Sequence, residues 1–284
     1  MLNFLLKHIL NLINKLSQKN VVLYGKMFGK MLYYIGPKRR SITFNNIKES
    51  LKLNDSETTK ITKESYQNLG ITLFEMIKLR TYTDNQIKEL VKFSNIELVE
   101  ELLSKGRGLI MMTGHYGNWE LLAYSTGLFT QKQINAIVKN QKNLLFDKFI
   151  IQNREKSGNK MISAGNAARE IINIIKNKGI VALIVDQSAD PNKDVFVDFL
   201  GRKAATYETP ASLALKFNIP ILMAYAVRQK NNTYLAHFTE LDHSDLSYNK
   251  KDVIELTQRH VKHLENQILE IPGQWAWQHR RWKH

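Results

Sequence analysis

The sequence predicts an α/β fold, in which a mostly parallel central sheet is flanked by helices and preceded by amphipathic helices. Three observations support this. From Gly106 onwards, short apolar runs of strand length alternate with segments of helical periodicity, which is typical of parallel strands joined by helical crossovers. Before Gly106 the periodicity is almost entirely helical. The chain has 284 residues, enough to bury a full core.

Charge is distributed unevenly along the chain. The formal net charge is +15, and the first forty residues contain eight lysines and arginines but no aspartate or glutamate. Such an excess predicts an anionic partner, which could be nucleic acid, anionic lipid or an acidic carrier protein. The chain has no cysteine, which excludes disulfide scaffolds, thiolate metal sites and cysteine nucleophiles.

The amino-terminal segment has the pattern of a membrane-surface helix. In residues 2–16 the apolar side chains fall on one helical stripe, with Lys7 among the polar residues opposite. Residues 21–36 are apolar and aromatic, but Lys26 and Lys30 interrupt them. We therefore expect these three lysines to contact headgroups. No uncharged run reaches the ~18 residues that a membrane span needs.

The amino-terminal segment allows two alternatives to a membrane-surface helix. A signal peptide is disfavoured because lysines break the apolar run and no small-residue cleavage site follows it. An ordinary core helix stays open as an interpretation.

We divide the chain into a membrane-associating segment, residues 1–36, and a main domain, residues 37–284. The main domain comprises a helical lead-in over residues 42–104 and an α/β core over residues 106–284. We expect lead-in helices near residues 46–53, 56–77, 85–92 and 96–103, and core helices at 144–155, 167–176, 208–217 and 252–269. Strands are expected at 109–113, 134–138, 180–185, 195–199 and 220–227, with 234–240 as a possible edge strand.

The chemistry is predicted from the stretch between Gly106 and Glu120. A buried strand ends in a Thr-Gly turn that delivers His115 to the carboxyl end of the strand, where open α/β sheets place their sites. Glu120 follows in the first turns of the next helix. An imidazole titrates near neutral pH and a carboxylate can hold it in one tautomer, so the pair could take a proton from a hydroxyl. A bare His-x4-Glu pair is more often a satisfied polar contact.

The segment Gly114–Glu120, GHYGNWE, resembles almost letter for letter the signature of the bacterial lipid A biosynthesis (late) acyltransferases. These belong to the wider HxxxxD/E acyltransferases. Further blocks resemble the family in the same order from Arg40 to Lys283. The resemblance implies a glycerolipid-acyltransferase-like fold, with His115 as general base and Glu120 as the acid that orients it.

The later blocks suggest residues that bind substrate. Arg154 by itself is more often a solvated side chain, but the resemblance implies that its planar donor fork lies close to the catalytic pair. Asp186 and Gln187 end a strand at the same topological position as His115, where a cap, a base or a metal ligand could stand. The expected substrate-binding residues are Asn118, Arg154, Asp186, Gln187, Gly201 and Thr206. Backbone amides after His115, together with Arg154, are candidates for stabilising an oxyanion.

The carboxyl-terminal tail interleaves tryptophans with basic residues. Such a mixture could stack on nucleic-acid bases or lie at a lipid headgroup layer. It also resembles the closing element of the family. We therefore expect Trp277, Arg280 and Arg281 to contact headgroups.

The resemblance implies transfer of a fatty acyl chain from an acyl carrier protein thioester to a hydroxyl of a lipid A precursor or related glycolipid. It also implies peripheral or monotopic attachment to the bacterial inner membrane, with the active site facing the cytoplasm and an anionic membrane surface as a partner. A phospholipid or other glycolipid acceptor stays open. No cofactor is expected and no metal, because no second histidine stands at ligand spacing from His115.

Two other function classes are disfavoured. A serine esterase would need a G-x-S-x-G elbow, and none occurs in the chain. A nucleic-acid-binding protein would use the positive charge, but that charge is concentrated in an apolar segment and no nucleic-acid-binding motif appears. We therefore expect no nucleic-acid partner.

Overall fold

The computed structural model describes residues 2–139 and 143–284, without the side chains of residues 2–7, 145 and 166. The expected headgroup contact of Lys7 therefore lies outside the described side chains. In these ranges the helices are α1 (Leu2–Lys15), α2 (Gln18–Ile35), α3 (Pro37–Leu51), α4 (Asp55–Lys78), α5 (Asp84–Leu90), α6 (Glu97–Ser104), α7 (Trp119–Thr130), α8 (Leu144–Glu155), α9 (Ala167–Lys176), α10 (Thr209–Phe217) and α11 (Lys250–Glu270). The strands are β1 (Val91–Phe93), β2 (Leu109–Thr113), β3 (Ile134–Val138), β4 (Lys160–Ser163), β5 (Ile180–Ile184), β6 (Val195–Phe199), β7 (Arg202–Thr206), β8 (Ile221–Arg228) and β9 (Tyr234–Glu240).

Seven of these strands form one sheet in the order β1-β9-β8-β2-β5-β3-β4. Neighbouring strands run parallel except β8 and β9, which pair antiparallel. Helices pack against the sheet, so the predicted fold class is confirmed. The strands β6 and β7 form a separate antiparallel hairpin.

The prediction that residues 234–240 form an edge strand is wrong. β9 lies between β8 and β1, and β1 is the outer strand. The strands β1, β4 and β7 were not predicted. β1 and β4 are only three and four residues long, too short for an alternating pattern to stand out. β7 reads RKAAT, which lacks the branched and aromatic residues that are enriched in strands.

The strand β2 is buried on both faces of the sheet, which explains why it could be identified from the sequence. Ile110 and Met112 face one hydrophobic cluster, whereas Leu109 and Met111 face the cluster on the other side of the sheet. A strand that is buried on both faces has a continuous apolar run rather than an alternating one. The run ends at Thr113, so the following loop emerges at the carboxyl edge of the sheet.

The helix α2 packs along α4 with the two backbones in contact. A Cβ added to Gly70 would lie 2.2 Å from the carbonyl oxygen of Gly25, and one added to Gly29 would lie 2.2 Å from that of Tyr66. Only glycine permits such an approach. One face of α2 is therefore fixed to the lead-in helices.

The opposite face of α2 is exposed, and it is both apolar and basic. Lys26 and Lys30 are exposed there. The exposed apolar residues on this helix are Leu23, Tyr24, Met27, Met31, Tyr34 and Ile35. Among the described residues, no helix combines the length and the apolar character needed to cross a membrane.

Candidate active site

The loop that carries His115 is fixed by backbone hydrogen bonds to two other parts of the chain. The amide of Gly117 donates to the carbonyl of Gln274 at 3.0 Å, and the amide of Asn118 donates to that of Ala226 on β8 at 3.0 Å. The carbonyl of His115 itself accepts from the amide of Ala276 at 3.0 Å. The carboxyl-terminal tail thus supports the loop directly.

His115 is held by Asp186. The Nδ1 atom of His115 lies 2.7 Å from Oδ1 of Asp186, and the backbone amide of His115 donates to Oδ2 at 2.7 Å. β2 and β5 are parallel neighbours with Thr113 opposite Ile184, so each residue two positions beyond its strand reaches the same edge. With Nδ1 donating to the carboxylate, the Nε2 atom is left as the basic nitrogen.

The buried carboxylate of Asp186 is ionised by its neighbours. Burial alone would raise its pKa, but the charge of His115, with hydrogen bonds from His115 and from the indole of Trp275, lowers it to about 2. The Nε1 atom of Trp275 donates to Oδ2 at 2.7 Å. For His115 burial acts in the opposite direction and lowers the pKa, but Asp186 outweighs burial and the net pKa is raised. Asp186 therefore makes the imidazole a stronger base.

Glu120 binds Arg154 rather than the imidazole. The guanidinium donates from Nε to Oε2 at 2.7 Å and from Nη2 to Oε1 at 2.5 Å, and the indole of Trp119 donates to Oε1 at 3.0 Å. Among the hydrogen bonds of the described residues, none joins Glu120 to His115. The orienting role predicted for Glu120 is therefore occupied by Asp186, because Arg154 and Trp119 already engage the glutamate.

The Glu120–Arg154 pair nevertheless lies beside the imidazole. The ring of Trp119 meets that of His115 edge to face, with centroids 4.9 Å apart. Burial lowers the pKa of Arg154, but the charge of Glu120 and its hydrogen bonds raise it overall, so the guanidinium is cationic. The site thus contains two adjoining ion pairs, linked by one indole.

One side of the imidazole is open. The side chain of His115 is 24% exposed, and the exposed Gln187 lies with Nε2 3.5 Å from Nε2 of the histidine. That distance is too long for a strong hydrogen bond. A hydroxyl could therefore approach Nε2 from this side.

A narrow apolar cavity adjoins the ion pairs. It lies between α7 and the ends of β2, β3 and β5, and Glu120 and Arg154 form part of its wall. The remaining wall is mainly apolar, formed by Trp119, Ala123, Tyr124, Ala136, Ile137, Val138, Met161, Ala182, Leu183 and Ile184. This composition suits a hydrocarbon chain.

The sequence model of the bacterial lipid A biosynthesis acyltransferase family matches residues 1–284. The chain belongs to this family. It is similar to the lipid A biosynthesis lauroyltransferase of Escherichia coli K12, at 21% identity over 276 residues that cover 97% of this chain and 89% of the relative. The palmitoleoyltransferase of the same organism is 22% identical over 261 residues, covering 91% and 83%. The resemblance drawn from the GHYGNWE segment is confirmed, and the protein is an acyltransferase.

In this acyltransferase Asn118 is a helix cap rather than a surface group. It is fully buried, and its Oδ1 atom accepts from the amides of Glu120 at 3.1 Å and Leu121 at 3.0 Å. Its Nδ2 atom donates to Oε2 of Glu75 at 2.8 Å. Both ends of the amide are engaged, which corrects the expectation that Asn118 contacts substrate. The same bonds engage two of the amides expected to stabilise an oxyanion.

Glu75 was missed by sequence reasoning. It is fully buried on α4, where it accepts from Tyr234 and Asn118 and lies 3.3 Å from Nη1 of Arg228. Gln18, at the start of α2, also donates to it at 2.8 Å. A glutamate on the apolar side of a helix was the available signal, but its partners are distant in sequence.

The carboxyl-terminal tail of the acyltransferase lies largely inside the molecule. Trp277 is fully buried and Arg281 is 1% exposed, donating to the carbonyl of Ala205 and the hydroxyl of Thr206. These positions correct the expected headgroup contacts of Trp277 and Arg281. Thr206 is fully buried too, so its hydroxyl is not presented to substrate. Arg280 is exposed, and its expected headgroup contact stays a prediction.

Gly201 occupies the turn of the β6–β7 hairpin. It has a φ of +73° and is exposed. Its expected role in letting a substrate approach the backbone stays a prediction.

Two glycines of the acyltransferase allow a matched test of the His115 loop. Gly117→Ala should destabilise the protein by about 3 kcal/mol or more and suppress acyl transfer, because φ is +59° and the new Cβ would lie 2.0 Å from the carbonyl oxygen of Ala226. Gly201→Ala is the control. It also has positive φ, but among the described residues nothing lies within 4 Å of its Cβ, so a loss of only about 1 kcal/mol is expected. Chemical denaturation measures both stabilities, turnover of the folded Gly117→Ala variant measures its activity, and equal losses of stability would contradict the loop geometry.

Proposed function

We propose that this acyltransferase moves a fatty acyl chain from the thioester of an acyl carrier protein to a hydroxyl of a lipid A precursor, with His115 as the general base. The proposal depends on the observation that the imidazole of His115 is bound to a carboxylate and partly exposed. Its Nδ1 atom is bound to Asp186 at 2.7 Å, and the side chain of His115 is 24% exposed. Family membership and the lauroyl- and palmitoleoyltransferase relatives support the choice of acceptor.

The reaction needs His115 to take one proton from the acceptor hydroxyl and to give it to the departing thiolate. The acceptor hydroxyl gives its proton to Nε2 of His115 while its oxygen attacks the thioester carbonyl, which forms a tetrahedral oxyanion. Asp186 stabilises the resulting imidazolium. The intermediate then collapses with cleavage of the carbon–sulfur bond, and the imidazolium returns the proton to the departing thiolate. The new ester and the free thiol of the carrier account for every atom.

Arg154 is the group we propose for the oxyanion. The amides of Glu120 and Leu121 already donate to Asn118. The guanidinium is fixed by two bonds to Glu120, so its orientation is set before substrate arrives. A preorganised cation stabilises charge that develops in the transition state without reorganisation. Glu120 in this proposal positions Arg154 and adds negative charge beside the imidazolium.

We propose that the apolar cavity holds the acyl chain of the donor. Its wall includes Glu120 and Arg154, so the carbonyl end of a chain inside it could lie near this ion pair. Trp119, in the same wall, contacts the ring of His115. The cavity is narrow, and a chain must displace side chains to enter. Met161 lies in the wall and is flexible enough to move aside.

The proposed location is the cytoplasmic face of the bacterial inner membrane, with peripheral or monotopic attachment. The exposed apolar and basic face of α2 supports this, since such surfaces lie at the boundary between headgroups and acyl chains. The net charge of +15 would attract both anionic lipid and an acidic carrier protein.

His115→Ala should lower acyl transfer by about 10²- to 10⁴-fold, the range that a general base contributes. The measurement is turnover of purified enzyme with an acyl carrier protein thioester and a lipid A precursor, repeated with a coenzyme A thioester to identify the donor. His243→Ala is the matched control. His243 lies beside Lys105 and Arg107, which precede β2, whereas His115 follows the opposite end of that strand. Near-normal turnover by the His115 variant in a folded protein would refute the base assignment.

Removing residues 1–16 should weaken membrane binding while leaving the α/β core folded. The cut precedes Ser17, whose hydroxyl accepts from the amide of Asn20 and begins α2, so the packing of α2 on α4 is kept. Sedimentation with anionic vesicles measures binding, and thermal unfolding monitors the core. Unchanged partitioning into the vesicle fraction would show that α1 is not part of the membrane-binding surface.

A further inference from the structure

A second cleft lies between α1, the end of α4 and α8, away from the His115 loop. It has a volume of about 630 Å³. It is lined by Leu10, Asn11, Asn14, Lys15, Arg80, Thr81 and Phe149. Among the described residues, the wall of the cleft combines two cations, three polar side chains and two apolar ones, with no carboxylate.

The two cations of the cleft are available to a ligand. Lys15 and Arg80 are exposed, and neither takes part in the ion pairs found among the described residues. Their basic neighbours are engaged instead. Lys78 donates to the carbonyl of Asn14 at 3.0 Å, and Lys156 donates to that of Tyr82 at 2.7 Å. Lys78 thereby satisfies the carbonyl of Asn14 near the end of α1, whereas Lys15 and Arg80 are exposed beside it.

The wall of the cleft also offers hydrogen-bonding groups. Asn11 and Thr81 line it with exposed side chains. An exposed amide and an exposed hydroxyl can bond a ligand hydroxyl such as that of a sugar. Leu10 and Phe149 supply apolar surface beside them. An anionic group, a hydroxyl and a hydrocarbon segment together describe a phosphorylated amphiphile.

We propose that this cleft binds a phosphate monoester on the headgroup of the acceptor lipid, with Arg80 and Lys15 as its ligands. The assignment of the acceptor rests on the proposed function. A guanidinium offers two parallel donors to phosphate, and an ammonium adds a point charge. The helix α8 connects this cleft to the reaction centre. Phe149 and Arg154 are five residues apart on it, which corresponds to ~7.5 Å of helix.

The test is equilibrium binding of the full chain to vesicles, with no acyl transfer in the readout. Phosphatidylcholine vesicles carry either phosphatidate, a phosphate monoester, or phosphatidylglycerol, a diester, in amounts that give equal surface charge. Wild type should prefer phosphatidate. Arg80→Gln should lower binding to phosphatidate about tenfold or more and abolish the preference. Arg80→Lys should restore it only in part.

Lys30→Gln is the matched control, because it removes one exposed charge from α2 outside the cleft. It should weaken binding to both vesicles alike, by about fivefold. Equal losses on the two vesicles for Arg80→Gln would overturn the site. Millimolar inorganic phosphate should reduce the wild-type preference by competing for Arg80 and Lys15, and a preference that free phosphate leaves unchanged would also overturn the site.

The inactive His115→Ala variant separates this proposal from the reaction mechanism. It should keep the full preference for phosphatidate, since His115 lies outside the cleft. A preserved preference in an enzyme that transfers no acyl group would support the cleft and count only against the proposed reaction. Loss of the preference in a folded His115→Ala variant would count against the cleft.

Discussion

The hydrogen bond between His115 and Asp186 is the interaction on which the rest of the site depends. A buried carboxylate is tolerated only when it is paired and hydrogen-bonded, and Asp186 accepts from the ring of His115, from its backbone amide and from the indole of Trp275. The same three bonds lower the pKa of Asp186 and fix the orientation of the imidazole. The negative charge of Asp186 and the orientation of His115 therefore have the same cause.

Several distant parts of the chain converge to make that bond possible. The register of β2 against β5 brings the two residues to one edge of the sheet. The positive φ of Gly117 lets the loop pass close to β8, and the tail beyond α11 fixes the loop from the other side. Glu75 extends this support to α2 through Gln18. The helix α2 and the loop thus share one polar network centred on the buried Glu75.

Much of this could be predicted from local patterns, because β2 is a continuous apolar run and the GHYGNWE segment follows it directly. The partner of His115 could not, since Asp186 is 71 residues away and only strand order brings it close. Spacing along the chain favoured Glu120 instead. Trp277 and Arg281 were misplaced because a mixture of aromatic and basic residues looks alike in a headgroup layer and in a hydrogen-bonded interior. Arg281 is buried because it bonds to β7, a strand with no clear sequence signal. Trp277 is buried against Trp275 and donates to the carbonyl of Pro272.

The role of Asp186 as the partner of His115 is tested most directly by the acidic limb of the pH profile of kcat/KM, compared between Asp186→Asn and Glu120→Gln. Asp186 raises the pKa of His115 more than Glu120 does, and the limb reports protonation of the free base. We expect the limb to move to lower pH in Asp186→Asn and to move less in Glu120→Gln, although turnover falls in both. A larger displacement in Glu120→Gln, with the limb of Asp186→Asn at its wild-type position, would contradict this role of Asp186.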